Sequence, residues 1–131
     1  RREMKRLFVL CLLALAFIPA ATAPASAACY RPNCWGAIAI NTNNRTWSWV
    51  VNHPSAGVAR QYAIARCNSP CNRVLVFQNS CAAYALAANG GWGWASGHPD
   101  RRGAERHALF ECSRHNPGRG CQVRVFACTS R

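Results

Sequence analysis

The chain has 131 residues and a formal net charge of +12, from 16 lysines and arginines against 4 acidic residues. This length excludes an assembly of several domains and leaves room for one small domain with a modest core. A positive surface attracts polyanions and binds them less tightly as salt increases, so the charge favours anionic partners.

The first 27 residues have the layout of a secretory signal peptide. Lys5 and Arg6 precede an uncharged apolar run over residues 7–18, and a small-residue cleavage site follows at 25–27. The run is shorter than the roughly 20 apolar residues of a membrane-spanning helix. We therefore expect residues 1–27 to be removed, leaving residues 28–131 without a transmembrane segment, in a secreted or periplasmic location.

The rest of the chain contains an internal repeat, which predicts an architecture built from two similar units. Three motifs recur at a constant offset of 45 positions, namely Trp47-Ser48-Trp49 as Trp92-Gly93-Trp94, His53-Pro54 as His98-Pro99, and Cys67 as Cys112. Residues 35–80 form the first unit and residues 81–131 the second. The connection between them is so short that we expect one domain rather than two tethered ones.

Periodicity and turn residues predict the order β-β-α-β in each unit. In chain order the predicted elements are strands 35–40 and 45–51, helix 56–66, strand 74–77, strands 81–87 and 92–96, helix 101–114, and strand 121–128. Ser55 and Asp100 are placed to cap the two helices. The fold class is therefore α+β, with two pseudo-symmetric repeats in one small, disulfide-stapled domain.

The eight cysteines that follow the predicted signal peptide indicate a disulfide framework. The repeat suggests that Cys67–Cys71 and Cys112–Cys121 each join a helix end to the following strand. Cys81 and Cys128 are expected to pair across the two units, and Cys29–Cys34 remains as a local loop. Because it closes the longest loop, Cys81–Cys128 should stabilise the fold most.

We expect the first unit to make most of the contacts with an anionic partner. No acidic residue lies between positions 28 and 99, whereas the arginines of the second unit are partly offset by nearby acids. The candidate binding arginines are Arg45, Arg60, Arg66 and Arg73. Arginine contacts carboxylate or phosphate through two parallel hydrogen bonds. The partner would be an anionic envelope component or an acidic protein, and not intracellular nucleic acid, because the chain is exported.

Two tryptophan pairs, Trp47 with Trp49 and Trp92 with Trp94, each share one strand face. We expect them to form the core beneath the helices, since the helices present small residues and need large partners. The alternative is an exposed aromatic platform for stacking sugars or bases, flanked by arginine. Two glycines, Gly91 and Gly93, leave one face of the fifth strand bare and predict a close approach to that backbone.

The chain shows no complete catalytic or metal-binding set. His107, Glu111 and His115 lie at helical spacing and form a weak candidate metal site. A solvated or partly packed helix face is the favoured interpretation, and we expect no metal or other cofactor. His98 and Asp100 resemble an acid–base pair, but a helix cap accounts for the aspartate. Neither a nucleophile motif nor Cys-x-x-Cys is present. We therefore expect a protein that is not an enzyme.

The motif combination resembles a known family. Its members share a Trp-Gly-Ala-Ile-Ala opening, paired cysteines before a valine-rich strand, an Asn-x-Cys-Ala-Ala step and a Gly-Gly-Trp-Gly-Trp run. Here these motifs lie at 35–39, 67–77, 79–83 and 90–94, with a closing Val-Phe-Ala-Cys at 125–128. The chain thus resembles the exported bacterial family catalogued as domain of unknown function 4189 (DUF4189). The resemblance implies an exported single-domain α+β protein and supplies no catalytic residues.

Two functional hypotheses follow from the sequence. The first is a non-enzymatic binding or inhibitory module that acts in the cell envelope or outside the cell. The second is a small secreted enzyme with a site around the two His-Pro turns. Convergence of His53 and His98 on one pocket would favour the enzyme, and separation of the two would favour the binding module.

Overall fold

The computed structural model describes residues 29, 33–68 and 70–130. The predicted signal peptide lies outside the described residues. The observed elements are β1 Trp35–Ile40, β2 Trp47–His53, α1 Ala56–Ala65, β3 Arg73–Gln78, β4 Cys81–Leu86, β5 Trp92–His98, α2 Arg101–His115 and β6 Gln122–Cys128. The predicted order β-β-α-β is confirmed in both units.

The second strand of each unit ends later than predicted. β2 and β5 continue to His53 and His98, because each strand passes a bulge and then pairs again with the first residue of its neighbour. The bulge places Asn52 (φ 65°) and Gly97 (φ 78°) in the left-handed region, at equivalent positions. Asparagine and glycine are the residues that tolerate this conformation best. The proline after each histidine then ends the strand.

The two units form two three-stranded antiparallel sheets, with strand orders β2-β1-β3 and β5-β4-β6. The sheets pack face to face, so that β2 lies over β6 and β3 over β5. The core between them includes Ile38, Ile40 and Phe77 of the first sheet against Tyr84 and Leu86 of the second. Each helix covers the outer face of its own sheet, which gives four layers in the order helix, sheet, sheet, helix.

Small residues let each helix lie close to its sheet. α1 buries Ala59 and Ala63, and α2 buries Ala104, Ala108 and Cys112, as the spacing predicts. The side chain of Ser55 accepts a hydrogen bond from the Val58 amide at 3.2 Å, and Asp100 accepts one from the Gly103 amide at 2.7 Å. Both predicted helix caps are therefore confirmed.

Gly93 allows the closest contact between a helix and a strand. A Cβ atom at this position would lie 2.2 Å from the backbone nitrogen of Cys112, so α2 rests directly on the bare strand. The first unit has Ser48 at the equivalent position, and its hydroxyl donates to the carbonyl oxygen of Ala63 at 2.5 Å. The close approach that Gly93 predicted is thus made by the protein's own helix.

The four predicted disulfides, Cys29–Cys34, Cys67–Cys71, Cys81–Cys128 and Cys112–Cys121, are all present. The expectation that Cys81–Cys128 joins the two units is wrong. The two residues lie opposite each other on β4 and β6, which are neighbours in the second sheet. The units are held together instead by the core between the sheets and by contacts such as the Ser130 amide to Asn52 Oδ1, at 2.7 Å. No helix in the described part of the chain is long and apolar enough to cross a membrane.

Candidate binding groove

The tryptophans do not lie beneath the helices, so that prediction is wrong. In β2 the residues that face α1 are Ser48 and Val50, whereas Trp47 and Trp49 point to the opposite side and are 38% and 44% exposed. The alanine stripe of α1 packs closely against Ala37, Ala39 and Val50, and the tryptophan packed against this cluster is Trp35 of β1. Both Trp-x-Trp pairs lie on the sheet faces that meet each other.

Trp92 and Trp94 occupy the equivalent positions on β5 and are half-buried against the core between the sheets. Their rings meet edge to face with centroids 5.1 Å apart. Because β3 lies over β5, Arg73 places its guanidinium carbon 5.6 Å from the centroid of Trp92. An arginine of the first unit thus stacks on a tryptophan of the second, an arrangement in which the ring's negative face attracts the cation.

A second arginine of the first unit reaches the same region. Arg45 belongs to the turn between β1 and β2, where Asn41 Oδ1 accepts hydrogen bonds from the amides of Asn43 and Asn44 at 2.9 and 3.1 Å. The backbone of Arg45 is left-handed, with φ 64°. Its guanidinium lies against Gly90 in the hairpin between β4 and β5, where a Cβ atom would be 3.0 Å from Nη2.

An open groove of about 480 Å³ runs along β5, and we call it the β5 groove. Its lining residues are Gly90, Gly91, Trp92, Gly93, Trp94, Glu111, His115 and Asn116. One wall is aromatic and the other is formed by the last turn of α2. Asn116 caps that turn by donating from Nδ2 to the Cys112 carbonyl oxygen at 2.9 Å. The Asn116 amide fills the space where a side chain at Gly91 would lie.

Glu111 supplies a negative charge to the groove. Arg114 donates to Glu111 Oε2 at 2.7 Å, and this hydrogen bond is the main reason that the pKa of Glu111 is lowered. The Nε2 atoms of His107 and His115 lie 3.6 and 3.7 Å from different oxygens of the same carboxylate. The carboxylate therefore stays ionised and can accept hydrogen bonds from a ligand.

The structure brings His107, Glu111 and His115 to one helix face, as their spacing predicted. However, each histidine faces a separate oxygen of the glutamate. Among the residues described here, no group of three or more histidine, cysteine or acidic side chains is arranged to hold a metal ion.

The four candidate arginines divide between two places. Arg45 and Arg73 lie beside the β5 groove, whereas Arg60 is exposed on α1 and Arg66 follows the end of that helix. Arg66 Nη1 donates to the carbonyl oxygen of Trp49 at 3.4 Å. The sequence could not predict that the four arginines divide in this way, because the division depends on how the two sheets stack.

A second groove, of about 470 Å³, lies at the opposite seam and is lined by Trp49, Val51 and residues 124–128. Sequence reasoning missed two residues near it. Arg101 places its guanidinium carbon 3.7 Å from the ring centroid of Phe126, which is 37% exposed. The sequence pattern placed Phe126 on the last predicted strand, but nothing in it predicted the contact with Arg101.

The two His-Pro turns do not converge. The ring of His53 stacks on Tyr62 of α1, with centroids 4.7 Å apart, and burial followed by the charge of Arg66 lowers the pKa of His53. His98 Nε2 lies 2.8 Å from His107 Nδ1 on α2. Each histidine therefore contacts the helix of its own unit, and the two helices occupy opposite outer faces of the domain.

Comparison with known proteins identifies the family of the chain. The model of the family described as Domain of unknown function (DUF4189) matches residues 35–128. No curated protein and no solved structure matches significantly. The matched range begins at the first residue of β1 and ends at the last residue of β6, so it includes both units and all eight elements. The chain therefore belongs to the DUF4189 family.

Proposed function

We propose that this protein is an exported, non-enzymatic binding module whose β5 groove takes an acidic sugar unit of an envelope or extracellular polymer. The observation that carries the proposal is the stacking of Arg73 on Trp92 beside an open groove whose wall continues through Trp94. A cation and a partly exposed aromatic surface are thus presented together at one site.

The chemistry of the groove matches a ligand that is both anionic and rich in hydroxyl groups. Arg45 and Arg73 are exposed, and Glu105 and Glu111 form their ion pairs with arginines of α2, so Arg45 and Arg73 can contact a carboxylate or phosphate group. The indole rings offer apolar surface to a sugar ring. On the opposite wall, the ionised Glu111 accepts hydrogen bonds from hydroxyl groups. Aromatic walls with a few converging polar groups are typical of small-molecule sites.

Two further features support a binding module in an exported protein. His53 and His98, the residues of the alternative enzyme hypothesis, are engaged with different helices and do not share a pocket. Four disulfides in a chain of this size are typical of proteins that fold in oxidising compartments. Binding to an immobile polymer requires a charged surface on a rigid scaffold. The arginines supply the charge, and the disulfides and the core between the sheets supply the rigidity.

The test is a calorimetric titration of the oxidised protein with an oligosaccharide of uronic acids and with its neutral counterpart. We expect binding of the acidic sugar only. Arg73→Gln should weaken it by about tenfold or more, because a hydrogen bond to a charged group contributes about 1.5–3 kcal/mol. Trp94→Ala should weaken it too, since it removes part of the aromatic wall.

Arg60→Gln is the matched control, because it removes the same charge from an exposed position on α1, outside the groove. It should leave the affinity nearly unchanged. Equal losses in the Arg60 and Arg73 variants would show that only net charge attracts the ligand, and equal affinity for the neutral sugar would exclude the proposed role of arginine. Binding to an acidic protein but not to either sugar would point to the protein partner instead.

A further inference from the structure

Two imidazole rings meet at the junction of β5 and α2, outside the β5 groove. His98 Nε2 and His107 Nδ1 are 2.8 Å apart, and the rings are nearly perpendicular, at 82°. His98 is the last residue of β5, and His107 lies in the middle of α2, so each is held by a regular element. The side chain of His107 is 46% exposed, which leaves the pair accessible to small solutes.

The negative charge of Glu111 favours one tautomer of His107. Its Nε2 atom faces the ionised carboxylate of Glu111 at 3.6 Å, so the ring proton is best placed on that nitrogen. Nδ1 then presents a lone pair to His98, whose Nε2–H donates to it. A carboxylate behind a histidine is the arrangement that orients imidazoles in metal sites and raises their basicity.

The geometry points to a binding site for a divalent copper ion, with His98 Nε2 and His107 Nδ1 as adjacent ligands and Glu111 as the carboxylate behind His107. Two nitrogens at neighbouring corners of a square, each about 2.0 Å from the metal, lie about 2.8 Å apart. The observed separation therefore already suits a square arrangement. On binding, the single proton of His98 would move from Nε2 to Nδ1, and the two rings would turn so that both lone pairs meet the ion beside the line between the nitrogens. Water would complete the square.

Copper is favoured over other divalent ions for two reasons. Sites with imidazole ligands bind Cu²⁺ more tightly than Zn²⁺ or Ni²⁺, and copper prefers the square geometry. In addition, all eight cysteines from Cys29 onward are in disulfides, so no thiolate among them competes for the metal.

The first unit provides a natural comparison within the same chain. Tyr62 stands where the second unit has His107, and it stacks on His53 instead of sharing a proton with it. The first unit therefore has only one imidazole at this junction. The inference does not rest on the proposed sugar binding, because neither metal ligand, His98 or His107, lines the β5 groove; Glu111 behind His107 is the one residue used in both.

The experiment is a titration of tag-free, oxidised protein with Cu²⁺ near neutral pH, followed by calorimetry and electron paramagnetic resonance. We expect one ion with hyperfine coupling to two imidazole nitrogens. His98→Ala should weaken binding by more than tenfold and leave one coupled imidazole. Glu111→Gln should weaken it by about tenfold, as is usual for a partner behind a metal ligand. Binding should be lost on acidification, because protons compete for the imidazoles.

His107→Tyr reproduces the pair of the first unit, so it should preserve the fold and still abolish the site. His53→Ala and His115→Ala are the controls and should bind copper like the unaltered protein. Unchanged affinity in His98→Ala, or no binding at micromolar copper, would overturn the inference. An equal loss in His115→Ala would place the metal on the face of α2 instead and would also overturn it.

Discussion

Replacement of Gly93 by alanine tests the direct contact between α2 and the second sheet. Gly93 is buried and is not in the left-handed region, so alanine causes no backbone strain of its own. Its Cβ atom, however, would lie 2.2 Å from the backbone nitrogen of Cys112 and 2.8 Å from its Cα. Backbone atoms of a helix cannot rotate aside, so α2 must shift away from the strand.

We expect Gly93→Ala to lower the free energy of unfolding by about 1–3 kcal/mol, the usual cost of overpacking a core. For a domain of this size, each kcal/mol lowers the melting temperature by about 4–8 °C. The assay is urea denaturation of the oxidised protein, followed by circular dichroism and tryptophan fluorescence. The slope of the transition should not change, since the same surface is exposed on unfolding.

Gly57→Ala is the matched control. Gly57 is exposed in α1, and an added Cβ atom there would meet nothing within 4 Å. Alanine should stabilise the helix by about 0.5–1 kcal/mol, because glycine loses more backbone entropy on folding. If Gly93→Ala were neutral or stabilising like Gly57→Ala, then α2 would not rest on the strand, and the layer arrangement described above would be refuted.

Two further predictions concern the disulfides and pH. Removal of Cys81–Cys128, which spans 47 residues, should cost about 2 kcal/mol more than removal of Cys67–Cys71, which spans 4, by the loop-length relation. Equal losses in denaturation of the paired alanine variants would contradict this. Because the pKa of His53 is lowered by burial, its protonation opposes folding, so stability should fall as pH decreases from 7 through 6.5 and below. Melting curves of His53→Gln should show a smaller decrease, and an identical one would exclude His53 as the cause.

The sequence predicts the parts of this fold that depend on local patterns. The offset between the Trp-x-Trp, His-Pro and cysteine motifs gives the two units, and the unit pattern leads to the four disulfides. Ser55 and Asp100 mark the helix starts because a side-chain oxygen there satisfies a free amide. Each of these features involves residues near in sequence or repeated in both units.

The features that sequence reasoning missed depend on how distant segments stack. Alternation in β2 shows that Trp47 and Trp49 share a face, but it does not tell which face meets the helix. The contact between Arg73 and Trp92 requires β3 to lie over β5, which no local pattern specifies. The pairing of His98 with His107 likewise depends on the rotation of α2 about its axis over the second sheet.

The central claim is that the β5 groove binds an anionic sugar, and the indole N–H signals of the five tryptophans test it most directly. In a nuclear magnetic resonance titration with an oligosaccharide of uronic acids, the signals of Trp92 and Trp94 should shift and saturate together. Those of Trp47 and Trp49, which lie on β2, should remain in place. Saturable shifts confined to Trp47 and Trp49, or no shift in Trp92 and Trp94 at saturating ligand, would contradict the claim.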